Sequence, residues 1–548
     1  MKMKLKYITS VMALGVLFLA CESDDSLLVE PVVNQVSDVD VPDATYTSGT
    51  ANFSTYVAVG NSLTAGFSDA ALFKQGQESS IPNLLAMQMA LAGGGSFTQP
   101  LTNDDLGGLL LGGQLIASTR LIFDVANEVP VNVSGTPTNE ITQTLSGPFN
   151  NMGVPGAKSF HLLAEGYGNV AGVATGQANP YYARFASSAS ASVMQDAMAQ
   201  NPTFFSLWIG NNDVLSYAIS GGTGVDQAGN LDPSTYGAND ITDPNVFASV
   251  YNGLLATLTS DDRKGIVANI PNVTDIPFFT TVPYAPLSPA NPDFGPQIPM
   301  LNMVFGALNP IFEAVDPSRE IVFSETSASP VVIKDETLAD ISAIIEAQLN
   351  ASPTFPVFIG QFGLPPEAAP LVANLLGTLY GQTRQATADD LLVLTSSSVI
   401  GTINEDFAAY LQTQGLSAEL AAQFSAQGIT YGLDDQWVLI PDEQEAMDAA
   451  ITAFNQIIEN AATTYDVPLF DVNTFFEKVA AEGYVYNSLG ATLTSDFVTG
   501  GAFSLDGIHP SPRGNAVIAN QMIALINAKY GSNLPELNPV DYTGLYIN

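Results

Sequence analysis

The chain of 548 residues carries 54 acidic against 15 basic side chains, a net charge of −39. That balance excludes a nucleic-acid partner, since phosphate binding needs a basic footprint, and it disfavours electrostatic docking on anionic lipid. With 46% hydrophobic and only 13% charged residues, there is apolar material for a large core, and the length allows several domains.

Residues 1–20 read as an export leader. Lys2, Lys4 and Lys6 make a basic start, and ITSVMALGVLFLA is an apolar run too short to span a bilayer comfortably. Its end, LFLAC, resembles a bacterial lipobox, with Phe18 where a smaller aliphatic residue is usual. The resemblance implies that Cys21, the only cysteine, is lipidated and anchors the protein in the outer membrane. A single cysteine also means no intramolecular disulfide. The following ESDD is similar to the acidic export signal of Bacteroidetes-type lipoproteins and implies cell-surface exposure. Whether the anchor faces the periplasm or the outside stays open. Residues 21–52 are rich in Asp, Val, Pro, Ser and Thr without helical period, and read as an acidic tether.

From residue 53 the pattern becomes α/β. Apolar runs at 56–59, 204–209, 266–270 and 467–472 predict buried strands. The stretch at 81–92, with Pro82 near its start and Gly93 beyond its end, predicts a helix. So does 442–465, with apolar residues at 446, 450, 454, 457 and 458. So does 512–530, where Ile518, Met522 and Leu525 share a face. Buried strands alternating with amphipathic helices predict a mostly parallel sheet covered on both faces. Residues 281–433 break this rhythm: a proline-rich stretch, then short helical pieces. They read as a mainly helical and irregular insertion, either a lid or substrate subdomain or mere decoration. It divides a core of 53–280 and 434–548. DDLLVLTSS and DDQWVLIPD echo each other as strands running into helix caps, too short to be a repeat.

The stretch YVAVGNSLTAGF poses the chemical question, since an apolar strand ends in a serine between glycines. Ser62 is a candidate nucleophile, and a serine nucleophile commonly needs an imidazole base. Only two histidines are present. His161 has no acid three residues before it and reads as a helix-surface residue. His509 lies in LDGIHPSPRGNAV, three residues after Asp506, a spacing that lets a loop carry the carboxylate to Nδ1 and leave Nε2 free. NNMGVPGAKS places Asn151, Gly153 and Gly156 in a tight loop where backbone N–H can approach a ligand. SLWIGNNDVL ends a strand at Gly210, with Asn212 able to donate to developing negative charge. In open α/β sheets ligands gather at the carboxyl ends of strands.

These four blocks, in this order, resemble those of the SGNH hydrolases, the GDSL esterase/lipase family. VGNSLTAG matches the serine block, Asn151 to Gly156 the second, Gly210 to Asp213 the third, and Asp506 to His509 the last. The likeness covers about 53–280 and 434–530. It implies a three-layer α/β/α, flavodoxin-like fold and a serine esterase. Ser62, Asp506 and His509 would be its catalytic residues, and the Ser62 and Gly156 N–H groups and the Asn212 amide its oxyanion hole. The family's usual Asp before the serine is Asn61 here, which puts the local geometry of the first block in question rather than the mechanism. The expected substrates are lipid or short-chain acyl esters, the apolar insertion lining an acyl pocket. The alternatives are acetylated polysaccharide and, in another class, a silent ligand- or glycan-binding surface lipoprotein. No cofactor is expected: there is no nucleotide loop and no EF-hand-like loop, and two distant histidines with one lipidated cysteine are poor metal ligands.

Overall fold

The computed structural model describes residues 45–486 and 490–548. Five strands form the central sheet: β1 (Tyr56–Gly60), β2 (Asn151–Gly153), β3 (Phe204–Trp208), β4 (Lys264–Ala268) and β5 (Leu469–Phe470). Their order is 5-4-3-1-2 and every pairing is parallel. β1 and β3 are wholly buried, as uninterrupted apolar runs in a sheet covered on both faces should be. The fourth strand begins two residues earlier than its apolar run, and the fifth is only two residues long, because just Leu469 and Phe470 reach the edge of β4.

The helices that position the site are α1 (Ser62–Ala65), α2 (Ile81–Leu91), α3 (Pro180–Ala183), α4 (Asn212–Ile219), α5 (Pro244–Thr259), α6 (Pro441–Thr464) and α7 (Pro512–Tyr530). α2 packs on α7, while α4 and α5 pack on α6, an arrangement consistent with a three-layer α/β/α sandwich. The long helices begin where their sequences say they should. Ser80 caps α2 and Ser511 caps α7, each with a proline in the first helical turn.

In register, Gly60 of β1 lies level with Gly153 of β2 and Trp208 of β3. The chain leaves β1 for β2 on one side and later reaches β3 on the other. The carboxyl ends of these three strands therefore flank a topological switch point, where a crevice opens in such sheets.

Of the stretch expected to be a tether, residues 45–52 are tied to the core. Thr47 N–H donates to Asn533 Oδ1 (2.7 Å), Thr50 N–H donates to Tyr530 O (2.8 Å), and Ala51 is buried. The folded unit thus starts before residue 53. The leader, Cys21 and residues 22–44 lie outside the described residues.

The insertion has a hydrophobic core of its own, spanning residues 282–440 and centred on Phe305, Phe312, Phe323 and Tyr380. It takes in Val438 and Ile440, past the boundary at 433. The two echoing segments meet here: Leu391 and Leu392 pair antiparallel with Leu439 and Val438, forming the neck of the subdomain. Phe358, Phe362, Leu376 and Leu420 line a wholly apolar cleft drawn entirely from residues 304–424. At its root, Phe278 N–H donates to Gly507 O (3.0 Å), so the insertion starts against the loop that carries Asp506 and His509.

Candidate active site

Gly60, the last residue of β1, leaves no room for a side chain. A Cβ would lie 2.2 Å from Thr64 Oγ1 and 2.3 Å from Trp208 O. Asn61 then turns the chain into α1, its Oδ1 accepting from Leu63 N–H (3.0 Å) as an N-cap. Ser62 is the first residue of this helix, so its N–H has no acceptor within it. Asn61 Nδ2 donates to Asn211 Oδ1 (2.9 Å). An aspartate could not make that contact with Asn211 so oriented.

The loop at 504–509 closes on itself through Ser504 N–H to His509 O (2.8 Å). Asp506 Oδ1 accepts from Ile508 N–H and His509 N–H, both at 2.9 Å. Its Oδ2 faces His509 Nδ1 at 2.9 Å and accepts from Ala70 N–H at 3.0 Å. Burial alone would raise this carboxyl, but His509 and the N–H donors outweigh it and hold Asp506 at about 2. A carboxylate there keeps the imidazole proton on Nδ1, which leaves Nε2 as an acceptor. Nε2 lies 2.9 Å from Ser62 Oγ, a contact between residues 447 apart in the chain. Ser62 and His509 are 7% and 9% exposed, so hydroxyl and imidazole meet in a largely desolvated spot.

Gly156 follows β2 with φ of +79°, a left-handed conformation that favours glycine, and its N–H has no hydrogen-bond partner among the described residues. Asn212, at the start of α4, donates through Nδ2 to Ala157 O (3.0 Å). This sets its amide beside the 156–157 peptide. Asp213 joins the two loops: it accepts from Ser159 N–H and Oγ–H, both at 2.7 Å. Burial pushes Asp213 up to about 6, against the pull of Ser159, Thr242 and Lys158. Lys158 is itself buried, its Nζ donating to Asp240 O (2.6 Å). Asn151 fixes the other side, donating to Thr64 O (2.9 Å) and accepting from Gly153 N–H (3.0 Å).

The end of β1 and the 504–509 loop thus bring a nucleophile and a base with its carboxylate into contact, and the end of β3 is tied to β1 through Asn61 and Asn211. An imidazole so held can take the serine proton.

His161 is placed differently from its reading as a helix-surface residue. It lies in a 3-10 turn (Ser159–Leu163), stacks on Tyr167 at 4.5 Å between ring centroids, and accepts at Nδ1 from Lys158 N–H (3.1 Å). Burial and Lys158 hold it down at about 4, so it is a neutral packing group. Asp69, which the sequence did not single out, backs the triad. Its Oδ1 accepts from Leu505 N–H (3.0 Å), and its N–H donates to Ser504 Oγ (2.9 Å), which in turn bonds Asp506 Oδ1 (3.0 Å). Its Oδ2 has no hydrogen-bond partner among the described residues. Burial, with Asp506 adding to it, pushes Asp69 up to about 7 against the Leu505 N–H and Arg120. Glu336, Asp435 and Glu443 also cluster, with carboxylate oxygens within 4.8 Å of one another. Burial pushes Glu443 up to about 9, so it keeps its proton at neutral pH.

Compared with known protein families, curated proteins and solved structures, the chain matches none.

Proposed function

We propose that the protein is a serine carboxylic-ester hydrolase of the SGNH type, with a flavodoxin-like core. The observation that carries this reading is the 2.9 Å contact of His509 Nε2 with Ser62 Oγ, continued at 2.9 Å from Nδ1 to Asp506. In the proposed reaction, His509 takes the hydroxyl proton as Ser62 attacks the ester carbonyl. Asp506 stabilises the imidazolium without taking its proton. The oxyanion is met by the N–H groups of Ser62 and Gly156 and by the Asn212 amide, the leaving alcohol takes the proton from His509, and water releases the acid by the same route.

The test is covalent labelling by a fluorophosphonate, which reports an activated serine regardless of substrate. Stoichiometric labelling at Ser62, lost in Ser62→Ala, is expected. A folded protein that resists the probe overturns the reading and leaves the silent binding protein in its place. The proposal includes anchoring of the chain in the outer membrane through lipid on Cys21. Metabolic incorporation of labelled fatty acid, abolished by Cys21→Ala, checks that part.

A further inference from the structure

The Asp506 carboxylate is seated on a turn that lies 436 residues away in sequence. Ser68 N–H donates to Ala71 O (3.1 Å) and Ala71 N–H to Ser68 O (3.0 Å), which closes the turn on itself. Between them Asp69 and Ala70 have φ of +51° and +62°. Left-handed residues with side chains are uncommon, two in succession more so, and such backbone persists where surrounding contacts over-determine it. Here both N–H groups reach the 504–509 loop. Ala70 N–H donates to Asp506 Oδ2 (3.0 Å), the oxygen that faces His509 Nδ1. Asp69 N–H donates to Ser504 Oγ (2.9 Å), whose hydroxyl donates to Asp506 Oδ1 (3.0 Å). The turn therefore meets both carboxylate oxygens, one directly and one through a hydroxyl.

The Asp69 side chain fastens the turn to the loop. Its Oδ1 accepts from the N–H of Leu505 (3.0 Å), the residue between Ser504 and Asp506. On the other side Asp69 O accepts from Leu121 N–H (2.7 Å), so the turn is held from two directions. Asp69 and Ser504 are 2% and 4% exposed. Each is bonded to the loop rather than to Ser62 or to the His509 ring, so each acts through Asp506. A carboxylate holds an imidazole in one tautomer and orientation only while its own plane is fixed, and donors on both oxygens fix that plane. The bond from Leu505 N–H asks position 69 for an acceptor oxygen, which an amide supplies as well as a carboxylate.

We infer that Asp69 and Ser504 are positioning residues for the triad: through the 68–71 turn they set the Asp506 carboxylate against His509 Nδ1, and Asp69 does so as a hydrogen-bond acceptor rather than as a charge. That the seated pair serves ester hydrolysis rests on the esterase reading; the seating itself does not.

The proton on His509 Nδ1 reports the seating by NMR without any substrate. In protein isotope-labelled only at histidine nitrogen, the two rings are told apart, because His161 Nδ1 accepts from Lys158 N–H and carries no proton. One downfield Nδ1–H signal is expected from the parent. Full-length Asp69→Ala should lose that signal to exchange with water and react with fluorophosphonate about 10–100-fold more slowly. Asp69→Asn, with its amide oxygen toward Leu505 N–H, should restore both. Ser504→Ala keeps the Leu505 bond and cuts the path to Oδ1. It should broaden the signal and slow labelling about tenfold, and it carries the test if Asp69→Ala does not fold. With a chromogenic ester the loss should fall on kcat, with KM within about twofold of the parent. A folded Asp69→Ala or Ser504→Ala that keeps the parent's signal and labelling rate overturns the inference. So does an Asp69→Asn that loses the signal, for then the charge is what acts. The Nδ1–H signal in a parent that resists the probe sinks the esterase reading and keeps the positioning. Labelling of the parent with a signal indifferent to position 69 does the reverse.

Discussion

Two arginines, Arg384 of the insertion and the buried Arg184 of the core, are partnered differently. Arg384, in the insertion, is met by carboxylates on every side: Nε lies 2.6 Å from Asp335, and Nη1 and Nη2 grip Asp390 at 2.6 and 2.8 Å. Arg184, in the core, has two carbonyls and no acid. The insertion encloses a hydrophobic core of its own and leaves Arg319 Nε and Ser396 Oγ without a hydrogen-bond partner among the described residues. In the core the Gly156 N–H, Asp69 Oδ2 and Arg184 Nη1 have no hydrogen-bond partner among the described residues. Unsatisfied buried polar groups are rare in folded proteins and call for an explanation where they cluster. Here they occur in both regions, and Asp69, which accepts from Leu505 N–H, is the one that touches the loop carrying Asp506 and His509.

This contrast between core and insertion breaks if chemistry and stability fail together. Ser62→Ala should lower ester hydrolysis by about 10⁴–10⁶ with the melting temperature unchanged, since only a hydroxyl is lost. The insertion should behave in the opposite way. Arg384→Ala strands two buried carboxylates and should cost about 3–5 kcal/mol of stability, while the fraction still folded labels normally with fluorophosphonate. Denaturant titration beside probe labelling reads both. Activity lost from folded Arg384→Ala would show that the insertion takes part in catalysis. Asn212→Ala should lower turnover by about 10²–10³ in a protein that still folds.

Much of the site was legible because each block is local. A strand end, its turn and the side chain it presents lie within a few residues, as in GNSL, GNND and DGIH, and the apolar periods for α2, α6 and α7 end within a residue or two of the observed helices. What was missed depends on distant partners. Asp69 bonds Leu505 across 436 residues, and nothing within FSDA marks an aspartate as buried. Arg184 is notable only for the acids that do not reach it, which no local pattern records. The 467–472 run was read too long because neighbours, not propensity, decide where an edge strand stops pairing. The described end of the tether misled by composition: its polar residues find partners in the chain around α7.

A gentler test concerns the proton on Asp69. The groups facing it are Asp506, Arg120 and Ser68 with the Leu505 N–H, and Tyr546 feels its charge. An ordinary aspartate ionises near 3.8, whereas this one does so at about 7. Between those values the unfolded chain releases a proton that the native chain keeps, so this group makes native stability fall as pH rises through that window. Asp69→Asn resembles the neutral acid and removes the slope. Its melting temperature relative to the parent should climb from pH 4 to pH 8, with activity retained. Asp69→Ala, which drops the Leu505 contact, should lose both stability and turnover. A parallel pair of melting curves for parent and Asp69→Asn would mean that the native carboxyl is already ionised.

The smallest expected effect belongs to Asn61→Asp. The cap to Leu63 N–H survives, because an aspartate oxygen accepts as well as an amide oxygen. The bond to Asn211 survives as well if that side chain turns its amide, so that Nδ2 donates where Oδ1 now accepts. The remaining difference is a negative charge beside Ser62, next to an imidazole that must become cationic during the reaction. Such a charge stabilises the imidazolium and discourages the alkoxide, and the two effects oppose. Turnover should therefore stay within about tenfold of the parent, roughly 1.4 kcal/mol. Asn211→Leu, which cannot turn to meet the carboxylate, should make the same aspartate far more harmful, and the double variant should fall below the product of the two single effects. Additive losses would show that residues 61 and 211 do not act as a pair, and the amide at position 61 would then owe nothing to Asn211.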